Sequence, residues 1–178
     1  MLITKGAISE YMRNICFGLM LCAGMGLAAE MPKEGQQAPA VALPSQDGGT
    51  VDLKGFKGKW VVLYFYPKDM TRGCTIEAHN FQQDLLKYTK LNAAIVGVSV
   101  DSTDSHQEFC TKESLTFKLL SDTGKKVVDE YGSLGANGVA ARNTFLIDPT
   151  GKIVQVWTKV DPTKHSEEVL AALAEKQK

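Results

Sequence analysis

Cysteine is scarce in this sequence, and neither sign of charge is in excess. Twenty basic and twenty acidic residues cancel over 178 positions, so there is no electrostatic footprint for nucleic acid or for an anionic membrane surface. None of the four cysteines belongs to a C-x-x-C pair, the spacing typical of dithiol redox sites and of many zinc sites. Internal repeats, low-complexity tracts and an interdomain linker are also lacking. This composition favours a small uncharged substrate.

Residues 1–29 have the pattern of a secretory signal peptide. Basic residues precede an uncharged apolar run over residues 15–27, and Ala28 completes a small-x-small cleavage motif. Cleavage there predicts a mature domain over residues 30–178 that is exported, to the periplasm in a Gram-negative cell, without stable membrane association. Retention of the run as an anchor and initiation at Met12 both stay open.

Cys74 follows a buried strand and a polar turn. The continuous apolar, β-rich run Trp60–Tyr66 predicts the strand, and apolar residues recur every three or four positions from Cys74 onward, which predicts an amphipathic helix that begins close to this cysteine. Free N–H groups at a helix start favour a thiolate, and typically lower a cysteine pKa to roughly 3.5–7.5. The only other cysteine of the mature domain is Cys110. A permanent structural disulfide between the two would waste an activated thiol.

The rest of the domain alternates strands and helices. Further strands are predicted over residues 93–100, 117–120, 144–147 and 153–157, with a small hairpin around residues 47–49. Further helices are predicted to end near Lys112, Tyr131 and Lys176, the second of them capped by Thr123. The order β, α, β, α, β, α, β, β, α indicates an α/β fold with a mixed central β-sheet flanked by helices, as in thioredoxin-like domains.

The segment Pro67–Cys74 resembles the P-x-x-x-T-x-x-C signature of the peroxiredoxins. The surrounding Tyr64–Asp69 and the later Arg142–Asp148 look like the branch named bacterioferritin comigratory protein or PrxQ. The likeness extends from about Gly35 to the C-terminus. It implies a thioredoxin-like peroxidase that reduces hydrogen peroxide and organic hydroperoxides without a metal or organic cofactor.

The resemblance also implies a role for each motif residue. Cys74 would be the peroxidatic cysteine, whose thiolate attacks the O–O bond and becomes a sulfenic acid. Thr71 would hydrogen-bond the thiolate and the peroxide oxygens, and Pro67 would shield them from water. Arg142 would keep the sulfur ionised and stabilise the departing oxygen, while Glu77 would orient Arg142.

Two positions depart from the branch, and they draw attention to Cys110. Arg72 stands where many relatives have proline, which adds a cation and loosens the loop, and His79 stands five residues after Cys74, where many place a resolving cysteine. Cys110 lies 36 positions beyond Cys74 (110 − 74), where another subset of the branch carries that cysteine. The resemblance therefore suggests a Cys74–Cys110 disulfide formed by local unwinding of a helix and reduced by a thioredoxin-like protein.

Two other functions stay open from the residues alone. An exported thiol-disulfide oxidoreductase would use the same thiols, and a copper or zinc carrier could use Cys74, Cys110, His79 and His106 as ligands. Otherwise His79, His106 and His165 are expected to be solvated or to cap helices. The chain is expected to be a monomer.

Overall fold

The computed structural model describes residues 30–178. The predicted signal peptide and its two cysteines lie outside this range. In the described range, no helix combines the length and the apolar character needed to cross a membrane.

A hairpin and a five-stranded sheet contain all the named strands of the described residues. The hairpin pairs β1 with β2 around the predicted turn, and a short 3₁₀ helix, Leu53–Phe56, follows it. The strands are β1 Ala42–Pro44, β2 Thr50–Asp52, β3 Trp60–Phe65, β4 Ala93–Ser99, β5 Lys118–Ser121, β6 Asn143–Ile147 and β7 Ile153–Thr158. In the large sheet the order is β5-β4-β3-β6-β7. Strands β3, β4 and β5 are parallel, β6 pairs antiparallel with β3, and β7 pairs antiparallel with β6. The predicted mixed sheet is confirmed.

Four helices flank this sheet: α1 Arg72–Lys90, α2 Thr103–Glu113, α3 Lys126–Glu130 and α4 His165–Lys176. Buried residues of α1, α2 and α4 share one core cluster with one face of the sheet, whereas α3 packs on the other face. The predicted cap of α3 is wrong. Asp122 supplies it, because its carboxylate accepts the backbone N–H groups of Lys126 and Val128, whereas Thr123 makes no such bond.

The central strand β3 carries the reactive segment. Its side chains alternate between the two cores, so Val62 and Tyr64 face α1 and α2, while Leu63 and Phe65 face α3. Strands β4 and β6 pair with the two edges of β3, and the two cores bury all of these side chains. The strand is therefore a rigid base for the loop that follows it.

Gly97 of β4 makes room for Tyr64. The two residues are paired in the parallel register, and a methyl group on Gly97 would lie 2.7 Å from the Tyr64 ring. Tyr64 also stacks on Tyr66 at 5.4 Å and packs on Phe81 of α1 at 4.9 Å between ring centroids. An aromatic layer thus fills the face of the sheet beneath α1 and α2.

Candidate active site

The loop between β3 and α1 turns sharply to deliver Cys74. Met70 has a positive φ of 57°, and Thr71 returns to extended backbone as the N-cap residue of α1. Cys74 is the third residue of the helix, as its position in the sequence predicted, and its side chain is buried, with 2 % exposed. The sulfur therefore sits at the positive end of a 19-residue helix.

Arg142 brings a guanidinium to this sulfur from the other side. It directly precedes β6, the antiparallel neighbour of β3. Its Nη2 donates to Cys74 Sγ at 3.1 Å, and its Nη1 donates to Glu77 Oε2 at 2.5 Å. The structure thus brings together three residues that the sequence placed 65 and 68 positions apart.

The two partners of this ion pair differ in how deeply they are buried. The Glu77 side chain is 1 % exposed and that of Arg142 is 18 % exposed. Burial raises the pKa of the Glu77 carboxyl to about 7, and the Arg142 guanidinium acts in the opposite direction. Glu77 therefore changes its charge close to neutral pH, next to the group that contacts the sulfur.

Gly73 is a site residue that the sequence did not reveal. A methyl group on its Cα would lie 2.8 Å from Arg142 Nη2 and 3.8 Å from Pro162. The glycine therefore gives Arg142 the space to reach the sulfur of the next residue. The sequence gives only a weak signal for this role, because a glycine is common in a polar loop that leads into a helix.

Thr71 and Pro67 belong to the loop between β3 and α1 that precedes Cys74. Thr71 is exposed, and its hydroxyl donates to the carbonyl of Lys68 at 3.0 Å rather than capping α1. The first-turn amides of the helix consequently lack a side-chain cap, while the hydroxyl oxygen keeps its acceptor capacity. Pro67 is partly buried where β3 ends. Arg72 is exposed at the first position of the helix and makes no ion pair with the described residues.

Cys110 lies on α2, in the same core as Cys74, and both are free thiols. Its side chain is 8 % exposed, and burial raises the pKa of its thiol to about 11, with the charge of Asp69 adding to the effect. Burial raises the pKa of the Tyr64 phenol, and the charges of Glu77, Cys74 and Cys110 act in the same direction. The aromatic layer and both thiols belong to the same core cluster.

The three histidines are not arranged as metal ligands. His106 and His165 are fully buried, so the expectation that they are solvated or capping is wrong, and only His79 is partly exposed. His79 contacts Glu113 and His106 contacts Asp69, each at 2.8 Å. Between residues 30 and 178, no three His, Cys, Asp or Glu side chains converge on one point. The copper or zinc carrier has no ligand set in this range.

Comparisons with known proteins identify the family and the fold. The family described as AhpC/TSA matches residues 34–156. Peroxiredoxin Bcp of Bacillus subtilis is 41 % identical over 146 residues, which cover 78 % of this chain and 93 % of that protein. The bacterioferritin comigratory protein of Xanthomonas campestris superposes with a TM-score of 0.77 at 35 % identity, over 82 % of this chain and all of that one. A cysteine-to-serine variant of Xylella fastidiosa PrxQ superposes with a TM-score of 0.79 at 33 % identity, over 84 % and 99 % of the two chains.

Proposed function

The chain belongs to the AhpC/TSA family and is a thiol-dependent peroxidase similar to peroxiredoxins Bcp and Q, and we propose that Cys74 is its peroxidatic cysteine. The observation that carries this proposal is the contact of Arg142 Nη2 with Cys74 Sγ at 3.1 Å, at the start of α1. A sulfur that accepts a guanidinium N–H at the positive end of a helix is stabilised as the anion. The thiolate is the nucleophile that peroxide chemistry requires.

In the first step, the Cys74 thiolate attacks one oxygen of the hydroperoxide. An S–O bond forms as the O–O bond breaks, and the bonding electron pair leaves on the second oxygen, which takes up a proton and departs as water or an alcohol. The sulfur is oxidised by two electrons to a sulfenic acid, and the peroxide is reduced by two. No metal or organic cofactor enters this balance.

Arg142 supports this step twice. Its N–H groups hold the thiolate before attack and are close to the negative charge that develops on the leaving oxygen. Glu77 keeps the guanidinium in place through the second N–H. Thr71 and Pro67 border the space that the peroxide would enter, so the hydroxyl of Thr71 can orient the peroxide and Pro67 can exclude water.

Hydrogen peroxide and organic hydroperoxides are the substrates that we assign. Cys74 is 2 % exposed, so a slender oxidant reaches its sulfur more easily than a bulky disulfide. Alkyl peroxide reduction is the activity studied in structures of the Xanthomonas campestris relative. Both observations favour a peroxidase over an exported thiol-disulfide oxidoreductase.

Cys110 is proposed to resolve the sulfenic acid by forming an intramolecular disulfide with Cys74. The separation of 36 positions (110 − 74) supports this pairing, because two cysteines of Xanthomonas campestris peroxiredoxin Q that were each replaced by serine are also 36 positions apart. Both cysteines of the present chain are buried in one core cluster. A thioredoxin-like protein, acting as a dithiol, would reduce the disulfide and return both thiols.

Export to the periplasm is part of the proposal and rests on the sequence of residues 1–29 alone. An exported enzyme needs an exported reductant, so the thioredoxin-like partner would share its compartment. N-terminal sequencing of the protein recovered from the periplasm tests this part. A chain that begins near residue 30 is expected, and recovery only from the cytosol with an intact leader would contradict it.

Serine variants of the two cysteines test the chemistry. Stopped-flow mixing with hydrogen peroxide is expected to oxidise wild type and Cys110→Ser rapidly, and Cys74→Ser no faster than a free thiol. Mass spectrometry should find Cys74 joined to Cys110 in wild type and sulfinic acid at Cys74 in Cys110→Ser. Rapid oxidation of Cys74→Ser would overturn the assignment of Cys74, and a wild type in which the two cysteines are never joined would overturn that of Cys110.

A further inference from the structure

A buried hydrogen-bond network surrounds the carboxylate of Asp69, in the loop between β3 and α1. The carboxylate accepts the hydroxyl of Tyr66 at 2.7 Å, the hydroxyl of Ser105 at 2.7 Å and Nδ1 of His106 at 2.8 Å. Asp69 is 5 % exposed, and His106 and Tyr66 are at most 1 % exposed. An ionised carboxylate only accepts hydrogen bonds, so the contact with Asp69 suits the tautomer of His106 that carries its proton on Nδ1. None of these four residues takes part in the peroxide chemistry described above.

This network joins the two segments that carry the two cysteines. Asp69 lies two residues before Thr71, in the loop that delivers Cys74. His106 lies on α2, one helical turn before Cys110. The contact between Asp69 and His106 is therefore a direct physical link between the peroxidatic loop and the helix of the second thiol.

Apart from this network, helix α2 is held by its buried side chains and by the 2.8 Å contact of Glu113 with His79 of α1. Of its eleven residues only His106, Phe109 and Cys110 are buried. The second ring nitrogen of His106, Nε2, is buried and has no hydrogen-bond partner in the part of the chain that the structure describes. An unpaired buried polar atom is unfavourable, so only the Nδ1 side of the imidazole helps to hold α2 in its packed position. We call this packed position closed, and we call open a state in which α2 has left the core. A small change at Asp69 or His106 should therefore shift the balance between closed and open α2.

We propose that Asp69 and His106 are a positioning pair that keeps α2 closed while Cys74 reacts with peroxide, and whose separation releases Cys110 to attack the oxidised sulfur. This inference rests on the proposed role of Cys110. In the released state the sulfur of Cys110 attacks the sulfur of the Cys74 sulfenic acid. The S–S bond forms as the S–O bond breaks, and the hydroxyl leaves with the proton of the Cys110 thiol as water.

Closure of α2 also keeps Cys110 unreactive. Burial raises the pKa of its thiol to about 11, so the closed form holds a protonated and poorly nucleophilic sulfur. Opening of α2 returns the thiol to water and removes the cause of that shift. The separation of Asp69 from His106 thus changes both the reach and the ionisation of Cys110.

Two variants of His106 test the pair. His106→Leu removes the donor to Asp69, whereas His106→Asn places an amide N–H close to the position of Nδ1 and can restore the bond. Stopped-flow and quenched mass spectrometry give the rate constant for oxidation of Cys74 and the rate constant for disulfide formation. For His106→Leu we expect disulfide formation to be roughly tenfold faster, with oxidation within about twofold of wild type. His106→Asn should lie closer to wild type, and the amides of α2 should exchange hydrogen faster in the leucine variant only.

His165→Leu is the matched control. His165 is another fully buried histidine, and its Nε2 lies 2.8 Å from the hydroxyl of Thr144, which belongs to β6. Its loss should lower global stability and leave the ratio of the two rate constants unchanged. Ser105→Ala removes a different donor to Asp69 and should accelerate disulfide formation about threefold. This variant replaces His106→Leu in the test if the leucine variant does not fold.

The proposed role of the pair is overturned if disulfide formation is unchanged or slower in His106→Leu, or in Ser105→Ala when that variant replaces it. It is also overturned if oxidation of Cys74 changes by the same factor as disulfide formation. The proposed function fails by a different result, in which the wild type forms no Cys74–Cys110 disulfide at all. The two failures are therefore distinguishable.

Discussion

Gly73 controls how closely Arg142 approaches the reactive sulfur. In Gly73→Ala the new methyl group would lie 2.8 Å from Arg142 Nη2, and Arg142 cannot yield without losing Cys74 or Glu77. We expect oxidation by hydrogen peroxide to slow by roughly ten- to a hundredfold in stopped-flow measurements. Alanine favours a helix by about 0.5–1 kcal/mol over glycine, but displacement of Arg142 would leave the buried Glu77 without its partner, so the urea midpoint should fall slightly.

Gly124→Ala is the control for this variant, since a methyl group there would meet nothing within 4 Å. It should oxidise like wild type. A Gly73→Ala enzyme with unchanged oxidation would show that Arg142 does not act through its contact with the sulfur.

The raised pKa of Glu77 predicts that the free energy of unfolding falls as the pH rises. Its folded-state pKa of about 7 is above the ordinary value of 4.5, so its contribution to stability is fully present below pH 4.5 and is lost as the pH rises to about 7. Relative to Glu77→Gln, which cannot titrate, the unfolding free energy of wild type should fall over that window by at most about 1.4 kcal/mol per pH unit. Urea denaturation of both proteins at a series of pH values measures this difference. A difference that rises with pH would contradict it.

At this scale the sequence identified the chemistry but not the space around it. Cys74, Arg142 and Glu77 were proposed together because a motif and a resemblance connect distant positions. The need for glycine at position 73 could not be predicted, because it arises only when β6 brings Arg142 alongside α1. The burial of His106 was likewise missed, since a histidine within a polar helix gives no sign of a buried carboxylate 37 positions away.

The start of α1 is the element whose stability can be changed most simply. Arg72 is its first residue, where proline is tolerated because that N–H has no partner within the helix. The preceding Thr71 has φ −81° and ψ 146°, the conformation that a following proline requires. Arg72→Pro should therefore stabilise the fold by about 0.4–1 kcal/mol through a restricted unfolded state.

Thermal unfolding measures this prediction as a rise in Tm of roughly 1–4 °C. Arg72→Ala separates the loss of the charged side chain from the effect of the ring, and should change Tm by less. A lower Tm for the proline variant would mean that the backbone at position 72 is not free to accept it.

Elements with a strong apolar pattern were predictable, and those positioned by polar contacts were less so. The strands β3 and β4 and the helix α1 follow directly from continuous or periodic apolar residues. The cap of α3 was assigned to Thr123 on sequence proximity, but Lys125 adopts a positive φ of 59°, and the chain reverses so that Asp122 reaches the helix start instead. A local backbone reversal of this kind leaves little trace in the residue types.

For the whole molecule we expect a monomer, as its surface indicates. Among the described residues, Leu86 and Leu134 are the large hydrophobic side chains that are clearly exposed, at 75 % and 38 %. Two isolated leucines do not form the contiguous apolar patch that a stable dimer buries. Sedimentation velocity on the mature domain should give one species near the monomer mass over the micromolar range. A dimer that dissociates in Leu86→Ser would contradict this expectation and would locate the interface.

The mixed character of the sheet was predictable from the order of elements, but the full strand order was not. A β-α-β sequence requires parallel strands, and a short turn such as that before β7 requires an antiparallel pair. Nothing in the sequence states which edge of the parallel group receives the hairpin. Its position beside β3, rather than beside β5, is what places Arg142 at the sulfur.

Because Cys74 is only 2 % exposed, the size of a reagent decides whether it can reach the sulfur. Hydrogen peroxide and slender organic hydroperoxides are small enough to reach the sulfur, whereas a maleimide or a fluorescent haloacetamide is too bulky to do so. Surveys of cellular thiols that rely on such labels will therefore under-count this sulfur, however nucleophilic it is.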